Sequence, residues 1–400
     1  MWKNKNVWII LIGEFVAGLG LWLGIIGNLE FMQEKVPSDF LKSLILAVGL
    51  LAGLLLGPLA GRVTDQVDKK KVMLISGFGR AVSVLFMFAA IHTGSVLWMV
   101  VFMICIQISA AFYFPALQAA IPMVVQEKEL LQLNGVHMNV ATLSRILGTA
   151  LAGVLLVVIS LSMLYFLSLA AYLVLFFLTF FLQLEEPDQG VILKGKAQSG
   201  GFKEVFPIIK GLPIVMMTLI MTLIPLLFLG GFNLLVINIS ELQDSSAIKG
   251  WIYTSEGISF MLGAFFVKQI SGKRSPYVIL FLFSFVMGVA QMMLFFADQA
   301  ILAVCAFAVF GFAVGCFFPT AATIFQTRIP KEFHGRFFSF RNMMDRLIFQ
   351  VVLLMTGLFL DLMGLQHMTL MFGIISLSAT ALFYVKYRQL KETVLAEKTG

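Results

Sequence analysis

Long apolar runs alternate with short polar breaks along almost the whole chain, and each run has about the 20 residues that a helix needs to cross a bilayer. Reading the breaks as loops gives candidate spans at 7–29, 41–60, 72–92, 96–118, 136–159 and 162–183, then at 213–238, 250–270, 276–296, 300–325, 342–361 and 367–386. The longest polar interval, "QLEEPDQGVILKGKAQSGGFKEVFPIIKG", separates the two sets of six and is rich in Gly, Lys and acids, as a linker is. The pattern predicts an all-α membrane protein with twelve transmembrane helices in two six-helix bundles. Residues 1–184 form the first bundle, 185–212 a cytoplasmic linker, and 213–400 the second bundle with a short cytoplasmic tail. Inside the linker, Phe202, Val205, Phe206 and Ile209 recur at helical spacing beside Lys203 and Lys210, which fits a short helix lying in the inner interface. With Gly200 and Gly201 next to them, an unstructured linker fits equally.

Charge fixes the expected orientation. With an inner amino terminus, 22 of the cations fall in cytoplasmic segments and only Lys35, Lys42 and Lys249 in outer loops, while Arg80, Arg145 and Arg346 lie within spans. Positive residues accumulate on the inner side, so both termini are expected in the cytoplasm of a cell whose plasma membrane holds the protein. The net charge of +7 then follows from topology and anionic headgroups, and no nucleic-acid partner is needed to explain it. A hydrophobic content of 60% against 12% charged residues excludes a water-soluble globule of this size. "MWKNKNVWIILIGEFVAGLGLWLG" imitates a secretion signal, but Glu14 interrupts the apolar stretch and the stretch runs on too long, so it reads as an uncleaved first span. Cys105, Cys305 and Cys316 sit in apolar runs, without metal-site spacing, and read as small core residues.

Two stretches repeat at an offset of about 200 residues. "FPALQAAIPMVVQEKELLQLNGVHMNVATLSRILG" has a counterpart in "FPTAATIFQTRIPKEFHGRFFSFRNMMDRLIFQ", with Pro115 on Pro319 and Arg145 on Arg346. Two parallel copies of a six-helix unit are the mark of a duplicated secondary transporter, related by a pseudo-two-fold axis with the solute path between them. The densest charge in the chain, "GRVTDQVDKKKV", joins the second and third spans, and its match in the second copy, "GAFFVKQISGKRSP", keeps a glycine and cations but lacks the acid.

That charge knot resembles the inner-loop signature of the major facilitator superfamily, with Gly61, Asp65 and Lys69, Lys70 and Lys71 in the family's Gly, Asp and basic positions. Gln66 stands where the family is usually basic and Asp68 where it usually has glycine. "GEFVAGLGLW", "FYFPALQAAIP", "NGVHMNVATLSRILGTALAG" and "HGRFFSFRNMMDR" extend the likeness over nearly the whole chain, and together they look like the branch that contains macrolide efflux proteins and enterobactin exporters. "GTALAG" resembles an export-associated motif, although Thr149 replaces its usual proline. An Asp at the inner end of a span can accept hydrogen bonds from free N–H groups at the start of a neighbouring helix. The resemblance implies that this neighbour is the eleventh span, so that Gly61, Asp65, the three lysines, Asp345 and Arg346 would form an inter-bundle gate. Lys69 to Lys71 read equally well as topology determinants.

Ionisable groups at membrane depth are candidates for function. Glu14 lies about 10 Å into the first span and Arg145 roughly 15 Å into the fifth, close enough in depth to pair. Glu256, two turns inside the eighth span with no basic residue within a turn, is a second candidate for proton coupling. Gln107 and Asn233 are weaker candidates for solute contact, since amides within spans more often join helices. Arg80 reads as snorkelling inward, His137 as a headgroup-level residue, and Glu30 as a solvated acid at an outer helix end. Forty phenylalanines and 22 methionines favour an apolar, adaptable cavity.

The expected function is export of a hydrophobic or amphipathic small molecule, such as a drug-like compound or siderophore, by alternating access in exchange for protons. A lipid or lysophospholipid flippase of the same fold is the alternative, and a non-transporting sensor or scaffold an alternative of another class. No cofactor is expected beyond a proton gradient, the partners are an amphipathic solute and membrane lipids, and the chain is expected to act as a monomer. An enzyme is not expected: HExxH, GxSxG and nucleotide-binding loops are absent, and four dispersed histidines assemble no triad.

Overall fold

A computed structural model of the protein describes residues 2–184, 205–272, 274–330 and 334–399. In hydrocarbon, backbone polar groups must be satisfied within their own segment, and the described residues accordingly form helices joined by short turns. The first six are α1 (Lys5–Lys35), α2 (Asp39–Gln66), α3 (Lys69–Thr93), α4 (Val96–Val124), α5 (Glu127–Val158) and α6 (Leu161–Phe180). A short helix, α7 (Val205–Gly211), precedes α8 (Pro213–Met221), α9 (Leu223–Leu229) and α10 (Phe232–Leu242), which together make the seventh span. Then come α11 (Ala247–Ser271), α12 (Pro276–Met293) with a 3-10 turn at Leu294–Phe296, α13 (Ala300–Arg328) and α14 (His334–Thr399). The linker expectation falls largely on residues 185–204, outside the described residues.

Among the described residues, ten helical segments are long and apolar enough to cross a membrane. One of these, Phe340–Gln389, breaks at Gly364, whose φ of 75° only glycine adopts readily. Counting it as two and adding α11 brings the total to twelve, the expected all-α architecture. The helices overrun the apolar runs by several residues at each end, because polar caps extend them into the interface. Ser38 caps α2 by accepting from the Leu41 N–H, Asp68 caps α3 through Lys71, and Ser160 caps α6 through Met163.

Proline explains where the seventh span is interrupted. Pro225 in α9 has no N–H to give the Met221 carbonyl and its ring crowds that turn, so α8 ends at Met221.

The chain divides into two compact units: residues Met1–Lys194 with Asp244–Thr254, and Gly195–Gln243 with Ser255–Gly400. In the first unit α1 packs on α5 and α6, and α3 packs on α4 and α6. In the second, α12 packs on α13 and α14. Around α9, Phe228 stacks on Phe310 with ring centres 3.7 Å apart, and Phe307 and Phe232 close the cluster edge-on.

Small residues set the tightest contact in the second unit. A Cβ on Gly311 would collide with the Glu256 carbonyl, one on Gly315 with the Phe260 carbonyl, and one on Gly263 with the Phe312 carbonyl. The backbones of α11 and α13 thus touch directly, as small residues permit in membranes, and the Cys316 thiol donates to the Gly263 carbonyl at 3.3 Å. Because the obstructing atoms are backbone, neither helix can yield by a rotamer change. Gly315→Leu should therefore lower the thermal midpoint of the purified protein in detergent, with a loss of about 1–3 kcal/mol or more. Gly211→Ala, where nothing lies within 4 Å of a new Cβ, should leave the midpoint unchanged.

Candidate functional site

In the first unit, α1, α3, α4, α5 and α6 all contribute to one buried polar cluster. Glu14 on α1 places Oε2 3.7 Å from Nε2 of His137 on α5. Both side chains are about nine-tenths buried, and both Glu14 Oε1 and His137 Nε2 are buried without a hydrogen bond. The hydroxyl of Tyr113 on α4 faces the Glu14 carboxylate and Thr179 of α6. On its other side, the guanidinium of Arg80 on α3 lies 4.4 Å from the Tyr113 ring centre and 5.4 Å from that of Phe114. Arg80 also acts on Tyr172 of α6, whose hydroxyl is buried without a hydrogen bond. From α6, Ser168 donates to the Gly20 carbonyl of α1 at 2.7 Å. Carboxylate, imidazole and guanidinium thus share one low-dielectric pocket, where each raises the influence of the others.

These positions differ from several sequence expectations. Arg80 does not snorkel: it is 6% exposed, because Tyr113 and Phe114 offer ring faces that hold a cation inside the bundle. His137, the second residue of the apolar span Val136–Val158, is buried against its neighbouring helices. The contact found for Glu14 is His137, eight residues before the expected partner Arg145, which is half-buried about two turns further along α5.

A second charged cluster of the first unit lies where the C-terminal part of α1 meets the start of α11. Lys249 has no exposed surface and directs Nζ to Glu30 Oε2 at 2.8 Å and to the Gln33 side-chain oxygen. Ser246 donates to Glu30 Oε1 at 2.8 Å. Just inside, Gly153 of α5 and Gly250 of α11 approach so closely that a Cβ on one would lie 2.7 Å from the Cα of the other. Trp22 of α1 meets Tyr253 edge-on, 5.9 Å between centres. Glu30 is therefore paired and partly buried, where the sequence suggested a solvated acid.

In the charge knot, Gly61 and Asp65 belong to the last turns of α2, and their side-chain surroundings lie outside the described residues. Asp68 accepts from the Lys71 N–H at 2.9 Å and starts α3, so one of the two acids serves as a helix cap. Lys69 and Lys70 are half-buried, Lys71 is exposed, and the Lys70 ammonium lies 5.7 Å from the Phe180 ring centre. Gln107 of α4 packs against Gly53 of α2.

In the second unit Glu256 is buried on α11, and Asn233 is half-buried in the first turn of α10. Asp345 lies eleven residues inside α14 rather than at its start, and its Oδ2 is 3.4 Å from Nε of Arg341 one turn earlier. Arg346 is exposed. A separate cavity of about 10 Å³, enough for one water, lies among Leu227, Phe228, Met368 and Phe372, where Gln291 Nε2 and Thr356 Oγ1 are buried without partners. No cluster of potential metal ligands occurs among the described residues.

The sequence profile of the Major Facilitator Superfamily matches residues 10–349 and 240–398. The chain belongs to that superfamily. Within the superfamily it is similar to the macrolide efflux protein A of Streptococcus pyogenes, with 23% identity over 395 residues that cover 93% of each chain. It is also similar to the uncharacterized MFS-type transporter YfiS of Bacillus subtilis (strain 168), with 24% identity over 364 residues, 84% of this chain and 82% of that one. Among solved structures, a mutant of the nucleoside transporter NupG superposes with a TM-score of 0.76 at 14% identity, covering 96% of this chain and 99% of that one, which establishes the fold. The protein is accordingly a superfamily transporter of the all-α fold, and not an enzyme.

Sequence reasoning missed Lys249, Arg80 and His137 as site residues of this transporter. Lys249 looked like one more loop cation, and only its neighbours Ser246 and Gly250 hinted at close packing. Removing one member of a buried ion pair strands the other, whereas removing both avoids that penalty. Lys249→Met should destabilise the purified transporter by about 3 kcal/mol, the low end because Glu30 remains partly wet. Adding Glu30→Gln should recover part of the loss, and a thermal double-mutant cycle measures it; strictly additive losses would show that the two do not act as a pair.

Proposed function

We propose that this transporter resides in the plasma membrane with both termini cytoplasmic and exports hydrophobic or amphipathic small molecules of the macrolide-like class in exchange for protons. The observation that carries the reading is the set of ionisable groups buried in otherwise apolar bundles: Glu14, His137 and Arg80 in the first unit and Glu256 in the second. Ionisable groups at this depth are costly, and a bundle that served only to pack would replace them with apolar residues. Exchange of a proton on a carboxylate changes the local charge by one unit, which is large in a low dielectric and can bias a conformational equilibrium.

Amphipathic export is supported by the resemblance to a macrolide efflux protein along nearly the full length of both chains. It is also supported by the aromatic and methionine content, which offers adaptable apolar walls. The inner-side accumulation of Lys and Arg supports the orientation. Gln107 and Asn233, both half-buried, are the amides offered for solute contact, and Arg145 remains a candidate for coupling through its place on α5.

Inverted membrane vesicles loaded with a panel of macrolides and cationic dyes test the reading. An imposed pH gradient should raise accumulation about ten-fold over vesicles with the gradient collapsed. Glu14→Gln and Glu256→Gln should each abolish that gain. Uptake indifferent to the gradient, or full gradient-driven uptake in both variants, would refute proton exchange through these carboxylates.

A further inference from the structure

We infer that Glu14 and His137 together form the proton-binding site of the transporter, a dyad that accepts one proton between its two side chains. This rests on the proton-exchange reading above and names the atoms that would perform it. A carboxylate oxygen and an imidazole nitrogen face each other at 3.7 Å, too far for a hydrogen bond. Both Glu14 Oε1 and His137 Nε2 are buried and unsatisfied. When Nδ1 carries the imidazole proton, Nε2 presents a lone pair, so two acceptors confront one another. One proton from the aqueous phase turns that repulsion into a donor and acceptor pair, as N–H to carboxylate or O–H to imidazole, and nothing else must be added for the balance. Release of the same proton restores the unsatisfied pair. Glu14 Oε2 opposes the orphan His137 Nε2, and the other oxygen of the same carboxylate, Oε1, is a second orphan. Buried orphan polar atoms are rare and destabilising, so a pair that carries two of them across α1 and α5 specifies a site whose satisfied state includes the proton.

The surroundings fit a single exchangeable charge. From α4, the Tyr113 hydroxyl faces the Glu14 carboxylate, and behind it Arg80 from α3 supplies a fixed positive charge. From α6, Thr179 and Tyr172 add neutral hydroxyls. Along α5 itself the cations are Arg145, about 12 Å from His137 at helical rise, and Lys128, about 14 Å away, and on α1 the other acids, Glu30 and Glu34, are roughly 24 and 30 Å from Glu14. With Glu14 ionised, its charge offsets Arg80 across the Tyr113 ring. With the proton bound, Arg80 loses that counter-charge while Glu14 and His137 gain a hydrogen bond. Loading the dyad therefore alters contacts on α1, α3, α4 and α5 together. Such a coupled change is what a bistable bundle needs from its driving ion.

Two measurements on the full chain decide the matter. In purified protein reconstituted in lipid, infrared titration follows the carboxylic acid carbonyl band that Glu14→Gln abolishes. In His137→Gln its midpoint should move by at least about one pH unit, a ten-fold change in proton affinity. An identical Glu14 midpoint with and without His137 would overturn the dyad, and this arm needs no transport. In proteoliposomes with radiolabelled erythromycin as probe, His137→Gln should lose the gradient-driven part of transport about ten-fold. It should keep solute counterflow in the absence of a gradient, which a merely misfolded variant would not. Gradient-driven transport at wild-type level in His137→Gln would also overturn the dyad. If the wild type itself ignores the gradient while the infrared shift is present, the exchange reading fails and the shared proton site stands.

Discussion

Hydrocarbon offers no partner to a polar group, and this one constraint organises the protein from backbone to charge. It confines the described chain to helices, because only a helix satisfies every N–H and C=O within itself. It leaves no hydrophobic force between spans, so close contact must come from shape, and Gly263, Gly311 and Gly315 let α11 and α13 meet backbone to backbone. It makes proline visible as a break, as at Pro225. It also forces charges at depth to seek one another, as Glu14, His137, Arg80 and the aromatic rings around them do.

The first unit carries two such gatherings of charge with different chemistry. At the start of α11, Lys249 is fully buried and bound by Glu30 and Gln33, so the cluster behaves as a clasp holding Asp244–Thr254 on α1 and α5. Deeper in, the Glu14 and His137 pair is left unsatisfied although Arg80 stands nearby. A saturated ion pair resists change, whereas an unsatisfied one responds to a proton. The satisfied and the unsatisfied cluster thus share α1 and α5 but differ in chemistry.

Much of the architecture was legible from composition and spacing. The spans, their number and the doubling follow from apolar runs of bilayer length, and the helices lie where those runs lie. Helix ends were less legible, since Asp68 looks in sequence like part of a charge knot and acts in the structure as the cap of α3. The polar clusters were legible as single residues only. Glu14 stood out because one acid interrupts an apolar run, whereas Arg80 resembled a snorkelling cation and His137 a headgroup-level residue. Their partners lie on different helices, 33 to 123 residues away along the chain, and no local pattern records such a pairing.

By itself, the sequence determined that this chain is helical, membrane-spanning and duplicated, because transfer of apolar residues into hydrocarbon depends only on how many are contiguous. Tertiary structure alone decided which charges meet. The energy of a buried charge depends on the atoms within a few ångströms of it, and those atoms arrive from helices that the chain order keeps far apart. Glu30 against Lys249, and Glu14 against His137, are facts of packing that no reading of neighbours in the sequence contains.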